Sequence, residues 1–339
     1  MPAEAKAAPR LPDTAAPPAT FDWRGITSRA WWPVAKRSAV GLFFLAVIGL
    51  ITMQARDIEW SEVLKSLRAY PLRTLLAAAG ISAGSYAIYS SYDLVARWHF
   101  GYRLPVTHVM RTGFIAYAFN LTLGAWVGAV ALRYNLYARL GLGADATTRI
   151  VALSLVTNWL GYCFLAGGVF ALRPLALPPA WQLGSEGLRL VGVALLLLVA
   201  AYLGLCRFAK QRTRHAGSHA FALPTGRVAL TQWLLSSCNW LLPSAIVYLL
   251  LQGKVDYAST LSVMLLGAMA GLIARVPAGL GVLEGVFVAL LSYRVAPVEL
   301  IAALLAYRAI YQLGPLMLAA LGLLYLQTRA KNKHRGCVK

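Results

Sequence analysis

Acidic residues are scarce in this chain. Twelve Asp and Glu stand against 32 Lys and Arg, a formal net charge of +20. Charged residues of both signs reach only 13% of 339, too few to clothe a soluble domain of that length. Cysteine is nearly absent. Cys163, Cys206, Cys238 and Cys337 form no C-x-x-C pair, which argues against a disulfide framework or a zinc site. His215 and His219 are four apart, but in a basic loop they read as a solvated pair rather than metal ligands. There is no P-loop, no G-x-S-x-G elbow and no H-E-x-x-H. Neither an enzyme, nor a cofactor, nor ATP-driven transport is therefore expected. Zinc-finger spacings and basic helical arrays are also missing, so nucleic acid is not an expected partner despite the charge. The first 33 residues are rich in Pro and Ala and hold no apolar h-region, so the first apolar run is expected to be an uncleaved anchor.

What the chain has is apolar length. It is 59% hydrophobic. Charge-free stretches run over Ser38 to Ala55, Thr74 to Tyr92, Thr112 to Leu132, Ile150 to Leu172, Leu190 to Cys206, Val228 to Gly253 and Tyr257 to Ala274. One more, Leu300 to Thr328, is broken by Arg308 alone. Most are long enough to cross a hydrocarbon core of about 30 Å at 1.5 Å per residue. The expected class is an all-α polytopic membrane bundle.

Two of these stretches are interrupted. Phe119-Asn-Leu-Thr-Leu-Gly-Ala-Trp-Val-Gly128 and Ala274-Arg-Val-Pro-Ala-Gly-Leu-Gly-Val-Leu-Glu-Gly285 carry glycines and polar groups that a lipid-facing helix has no use for. Irregular backbone at membrane depth survives only where protein or a water-filled cavity surrounds it. Charge decides how the chain passes through them. If each enters and leaves on one side, Arg97, Arg103, Arg111, Arg133, Arg139, Arg149 and the basic loop Arg207 to Arg227 share a side with both termini. That satisfies the positive-inside rule, whereas a full crossing at the first break inverts it. The expectation is six full spans and two re-entrant hairpins, both termini cytoplasmic, with eight spans as the alternative.

The halves correspond at an offset of about 155 residues, as in Ser82 with Ser237 and Gly124 with Gly279. Three spans in each half make this an inverted repeat, an architecture with its site near the midplane. The expected organisation is a tail over 1–33, repeats over 34–187 and 188–328, and a basic tail over 329–339.

Arg275, Glu284 and Arg308 are the sharpest candidates, because charge in an apolar segment must face protein or water. Pro277 stops a helix, and Gly279 and Gly281 allow a reversal. The helix restarting there offers unpaired N–H groups beside two guanidiniums, a set suited to phosphate. Alternatively, Glu284 merely pairs with an Arg and holds the hairpin. In the first break Asn120 and Thr122 supply neutral polar groups and Arg133 follows; Asn120 either lines a site or satisfies the turn. Asp93 is expected to pair with Arg97 at the membrane face, and Asn158 and Gln312 to hydrogen-bond between helices.

The run Tyr117 to Gly141, with Thr157-Asn-Trp-Leu-Gly-Tyr162 and Arg275-Val-Pro-Ala-Gly-Leu-Gly-Val-Leu-Glu284, resembles the membrane domain of the lysylphosphatidylglycerol synthase/flippase family, closest to its stand-alone inner-membrane branch. Where that family commonly shows Pro-Gly-Gly-x-Gly-x-x-Glu, this chain has Ala278 for one glycine. The resemblance implies a bacterial inner-membrane protein that handles phosphatidylglycerol or cardiolipin, without the soluble synthase domain of full-length relatives. The expected function is binding and translocation of an anionic phospholipid at Arg275, Glu284, Arg308, Gly279, Gly281, Asn120, Thr122 and Arg133. Two alternatives stand beside it: a small-solute or ion-coupled transporter, and a non-transporting scaffold for lipid synthesis or envelope assembly. No protein partner is indicated.

Overall fold

Away from water, a backbone satisfies its N–H and C=O groups only by closing on itself, so long apolar runs become helices. The computed structural model describes residues 61, 65, 68–124, 130–173, 184–208, 213–216, 219–274 and 279–336. Its helices are α1 (Leu72–Phe100), α2 (Val106–Leu123), α3 (Arg133–Arg139), α4 (Ala144–Leu172), α5 (Ser185–Phe208), α6 (Gly226–Leu250), α7 (Tyr257–Ala274), α8 (Val282–Leu291), α9 (Pro297–Arg308) and α10 (Gly314–Gly336). A π-helical turn, Ala309–Leu313, joins α9 to α10. Between α5 and α6 lies a two-stranded antiparallel hairpin, β1 (Thr213–Ala216) and β2 (His219–Ala222). Five described helices are long and apolar enough to cross a membrane: α4, α5, α6, α7 and the run Pro297–Leu326. The chain is thus a helical membrane bundle.

α1 has 29 residues, as α4 does, but a polar inner face. Ser82, Ser85, Tyr86, Tyr89, Ser90 and Asp93 recur at three- and four-residue spacing and are buried. α1 and α6 run antiparallel, touching where Ser85 Oγ donates to Asn239 Oδ1 at 2.9 Å. The main core surrounds this crossing and draws on α1, α2, α6, α7, α8 and α9.

Contacts fix which helix ends lie together. Asp93 stands seven residues before the end of α1, and Ser154 ten residues into α4; the two side chains bond at 2.5 Å. At 1.5 Å per residue they lie about 10 and 15 Å from those ends, so α1 finishes where α4 begins. Gln232, six residues into α6, donates to Thr157 of α4 at 2.7 Å and adds the start of α6 to this end. Arg97, Arg103, Arg111, Arg139, Arg149 and Arg227 cluster around it, and we call it the basic end. The chain between α1 and α4, including α2 and α3, therefore leaves and returns at the basic end.

The second broken segment does the same at the opposite end. Asp256 just before α7 meets Arg294 just after α8 at 3.4 Å, and Lys254 meets Glu299 of α9 at 2.5 Å. α8 folds back along α7. A Cβ on Gly267 would lie 2.6 Å from Leu283 Cδ1, and one on Gly271 would lie 3.8 Å from Gly279 Cα. The numbers rise on one partner as they fall on the other, which is antiparallel packing at glycine-permitted distance. Gly279 and Gly281 hold φ of +57° and +75° at the turn, conformations that a side chain disfavours.

Pro315 explains the π turn. It has no N–H to give the Tyr311 carbonyl one α-turn back. The Gly314 N–H bonds Ala309 instead of Ile310. Two carbonyls are thus released, and α1 supplies a donor for each. Tyr86 Oη donates to Tyr311 O at 3.0 Å, and Ser82 Oγ to Ile310 O at 3.4 Å.

Candidate functional site

Arg308 ends α9, eleven residues from its start at Pro297, or about 16 Å along the helix and near half of a hydrocarbon core. Charge at that depth needs partners. Arg308 Nε donates to Glu284 Oε1 at 2.6 Å and Nη2 to Oε2 at 2.9 Å, a two-toothed grip. Nη2 also donates to the Gly279 carbonyl at 3.0 Å, and Nη1 reaches Gln312 Oε1 at 3.4 Å. Side-chain exposure is 7% for Arg308 and 17% for Glu284. Glu284 lies in the first turn of α8, where a carboxylate also offsets the positive helix end. Three expected residues, Glu284, Arg308 and Gly279, are therefore in contact. Gly281 is the αL residue before α8, and its carbonyl takes the Gly285 N–H at 2.9 Å. Gln312 joins the site through Arg308. Asn158 contributes its backbone carbonyl, which accepts from Trp240 Nε1 at 3.0 Å. Arg275 and Ala278 lie outside the described residues, as does the first break from Ala125 to Ala129.

Arg133 belongs to a different constellation. Its Nε donates to Asp93 Oδ2 at 2.9 Å, with side-chain exposures of 1% and 0%. Tyr137 Oη gives Oδ2 a second hydrogen bond at 2.8 Å, and Ser154 Oγ serves Oδ1 at 2.5 Å. The guanidinium stands over the Tyr89 ring, 5.6 Å from its centroid. Asp93 therefore does not pair with Arg97, as four-residue spacing predicts. Arg97 Nε turns to the Leu104 carbonyl at 2.6 Å. The fold brings α3 back beside α1, and a buried carboxylate needs partners for both oxygens, which a buried guanidinium and two hydroxyls supply. Thr122 bonds back to Ala118 O at 3.3 Å, and the Asn120 carbonyl takes the Gly124 N–H at 3.0 Å.

Tyrosines link the two ion pairs. Tyr89, under Arg133, stacks on Tyr117 with centroids 3.6 Å apart. Tyr117 Oη meets Tyr311 Oη at 2.7 Å, and Tyr311 stacks on Tyr307 beside Arg308. Ser85 Oγ joins at 2.8 Å from Tyr311 Oη. Sequence reasoning missed this cluster. The spacing of Tyr86, Tyr89 and Asp93 on one face of an apolar helix was the available signal.

The protein-family model for the lysylphosphatidylglycerol synthase TM region matches residues 38–319. The inner membrane protein YbhN of Escherichia coli (strain K12) is 46% identical over 301 residues, 88% of this chain and 95% of that protein. An uncharacterized protein of Synechocystis, slr0712, is 31% identical over 300 residues, 87% of this chain and 93% of that one. The match runs through both broken segments and both buried ion pairs. This chain belongs to the lysylphosphatidylglycerol synthase transmembrane-region family.

Proposed function

We propose that this is a bacterial inner-membrane protein that binds an anionic phospholipid and carries it between leaflets. The observation that carries the reading is the Arg308–Glu284 fork beside the second break. A guanidinium held by two oxygens of one carboxylate has the geometry that also fits two oxygens of a phosphate. Glu284 thus occupies the place of a headgroup. Exchange of one anion for the other keeps Arg308 neutralised throughout, which avoids a bare charge at membrane depth. Gly279, Gly281 and Gln312 shape the cradle, Arg275, outside the described residues, is the expected second cation, and Asn120 and Thr122 stand at the first break. Phosphatidylglycerol or cardiolipin is the substrate class.

The reading includes an inverted repeat with six full spans, two re-entrant hairpins and cytoplasmic termini. Its support is the return of the first broken segment to the basic end and of the second to the opposite end. The membrane location draws on the E. coli relative, whose name places it in the inner membrane.

The test is lipid movement in vesicles holding the purified chain. Labelled phosphatidylglycerol should change leaflet with the native chain and slow with Arg308→Lys, since an ammonium lacks the fork. Native rates with both Arg308→Lys and Glu284→Gln would remove this site from transport and favour the scaffold reading.

A further inference from the structure

The halves of the bundle can be compared position by position. Ser85 meets Asn239, 154 residues later, so counterparts touch each other at the centre. Trp240 Nε1 donates to the Asn158 carbonyl at 3.0 Å. Subtracting 154 from Trp240 gives Tyr86, and Tyr86 Oη donates to the Tyr311 carbonyl, one residue from the counterpart of Asn158, also at 3.0 Å. On this register α1 answers to α6, and α9, the π turn and α10 together answer to α4.

The corresponding seams differ. Between α4 and α6 the chain is shut. A Cβ on Gly161 would lie 2.3 Å from the Ser236 carbonyl carbon. Phe164 meets Trp233 edge to face at 4.9 Å, and Tyr162 meets Trp240 at 5.2 Å. The counterparts of Gly161, Ser236, Trp233 and Phe164 are Pro315, Ser82, Ala79 and Leu318. All four line an open cavity of about 560 Å³. That volume is within the range of small-molecule sites.

The lining states what fits. Ala79, Ala83 and Ala87 leave room along α1 and are exposed to it. The Ser82 and Ser90 hydroxyls are turned to the Ile310 and Tyr86 carbonyls, so the wall presents carbon. From Ala79 to Ser90 the wall is about 16 Å long, roughly one leaflet of the core. Arg111 stands in the lining five residues into α2, near the basic end, exposed and without a hydrogen bond or ion pair among the described residues. An apolar trough of leaflet length with a free guanidinium at its face end matches an acyl chain beneath a phosphate.

Resting on the lipid-transport and inverted-repeat reading, we propose that this cavity is an entrance for a membrane phospholipid, its tail along α1 and its phosphate on Arg111. The α4–α6 seam is the same entrance in its closed form. The two entrances face opposite ends of the bundle and open in turn, and this structure is the state open toward the basic end.

The test is photolabelling of the whole chain in vesicles with phosphatidylglycerol carrying a diazirine on its acyl chain, adducts being mapped by mass spectrometry. Adducts are expected on Ala79 to Ser90, Phe114 and Ile310 to Leu318, above the level on lipid-facing α5. Ala83→Trp should lower them by about tenfold, the effect of losing a fitted chain site. Ala79→Leu gives a milder loss and guards against a misfolded Trp variant. Arg111→Gln should lower labelling by the phosphatidylglycerol probe but not by a diacylglycerol probe, which has no phosphate. Trp233→Ala with Phe164→Ala should bring adducts to the α4–α6 seam. Even labelling of every lipid-facing helix, unchanged by Ala83→Trp, would overturn the entrance, and a silent seam in the double variant would overturn the alternation. Leaflet exchange is read separately. Adducts as expected with no exchange would retain the entrance and reject transport, whereas exchange without cavity adducts would reject the entrance alone.

Discussion

The two buried ion pairs solve one problem with opposite polarity. In the first, the hairpin side brings the cation, Arg133, and the bundle brings the anion, Asp93. In the second, the hairpin side brings the anion, Glu284, and the bundle brings the cation, Arg308. On the 154-residue register Arg308 answers to Ser154, the residue that hydrogen-bonds Asp93. On the proposed repeat, the same place on the scaffold ties down a returning segment in each half. The difference lies in access. Asp93 is sealed and takes three hydrogen bonds, whereas Glu284 keeps 17% of its side-chain surface. A sealed pair serves as a rivet. A pair with a partly exposed carboxylate beside a glycine turn is the one that the proposed lipid exchange uses.

This contrast orders the expected effects of mutation. The largest belongs to the sealed pair. Asp93→Asn leaves Arg133 buried with a neutral partner, and should cost about 3–5 kcal/mol of stability, read as a lowered melting temperature in detergent. Asp93→Leu with Arg133→Met should recover most of the loss, because neither charge then remains. A double variant as unstable as the single one would show that packing, not charge, governs this place.

Next comes the accessible pair. Glu284→Gln should slow phosphatidylglycerol movement by about tenfold while lowering stability less than Asp93→Asn does. Equal destabilisation by both would make Glu284 a second rivet. Gly267→Leu follows, through the hairpin itself. The added side chain meets Leu283 and should cost about 1–3 kcal/mol by pushing α8 from α7. Limited proteolysis near Gly279 should quicken in that variant and stay unchanged in a Gly80→Leu control, where a new Cβ meets nothing.

The smallest effect is electrostatic and at the surface. The Ser259 backbone N–H, followed by the Ser259 hydroxyl and Arg294, holds the Asp256 carboxyl below the ordinary carboxylate range. A carboxylate with a lowered folded pKa stabilises the fold at neutral pH, and that contribution fades as pH falls through the lowered value. Asp256 is 47% exposed, so solvent screens the contribution to a fraction of a kcal/mol. Asp256→Asn should therefore lower the neutral plateau of the melting curve slightly and leave its acid end nearly unmoved, so that the acid limb is shallower.

Much of this was legible in the sequence. From Thr74 onward charge-free runs marked the helices, and glycine marked the second turn; the run Ser38 to Ala55 and Pro277 lie outside the described residues. Arg308 and Glu284 were visible as a pair because each is the rare charge in an apolar segment. Asp93 was misread because its nearest basic residue in sequence is Arg97, while its partner lies 40 residues on. Only the return of the chain to the basic end brings them together, and no local periodicity encodes that return. The tyrosine cluster was missed for a related reason. Tyr117 and Tyr311 are 194 residues apart, and each alone looks like an interfacial aromatic. Arg275, the third charge in these segments, lies outside the described residues and keeps its place as an expectation.

The π turn after Arg308 has a genetic consequence. A π turn holds one residue more than an α turn, so the segment Ala309–Leu313 is a helix with a surplus residue absorbed locally. Losing one residue there would remove the surplus while Arg308 and the face of α10 kept their directions, with Pro315 carried inside the helix as Pro243 is in α6. Elsewhere in the same span, an identical deletion would rotate everything beyond it by about 100°, one residue's share of a 3.6-residue turn. Scanning single-codon deletions through this span should find one tolerant patch, lying where Ser82 and Tyr86 reach across from α1.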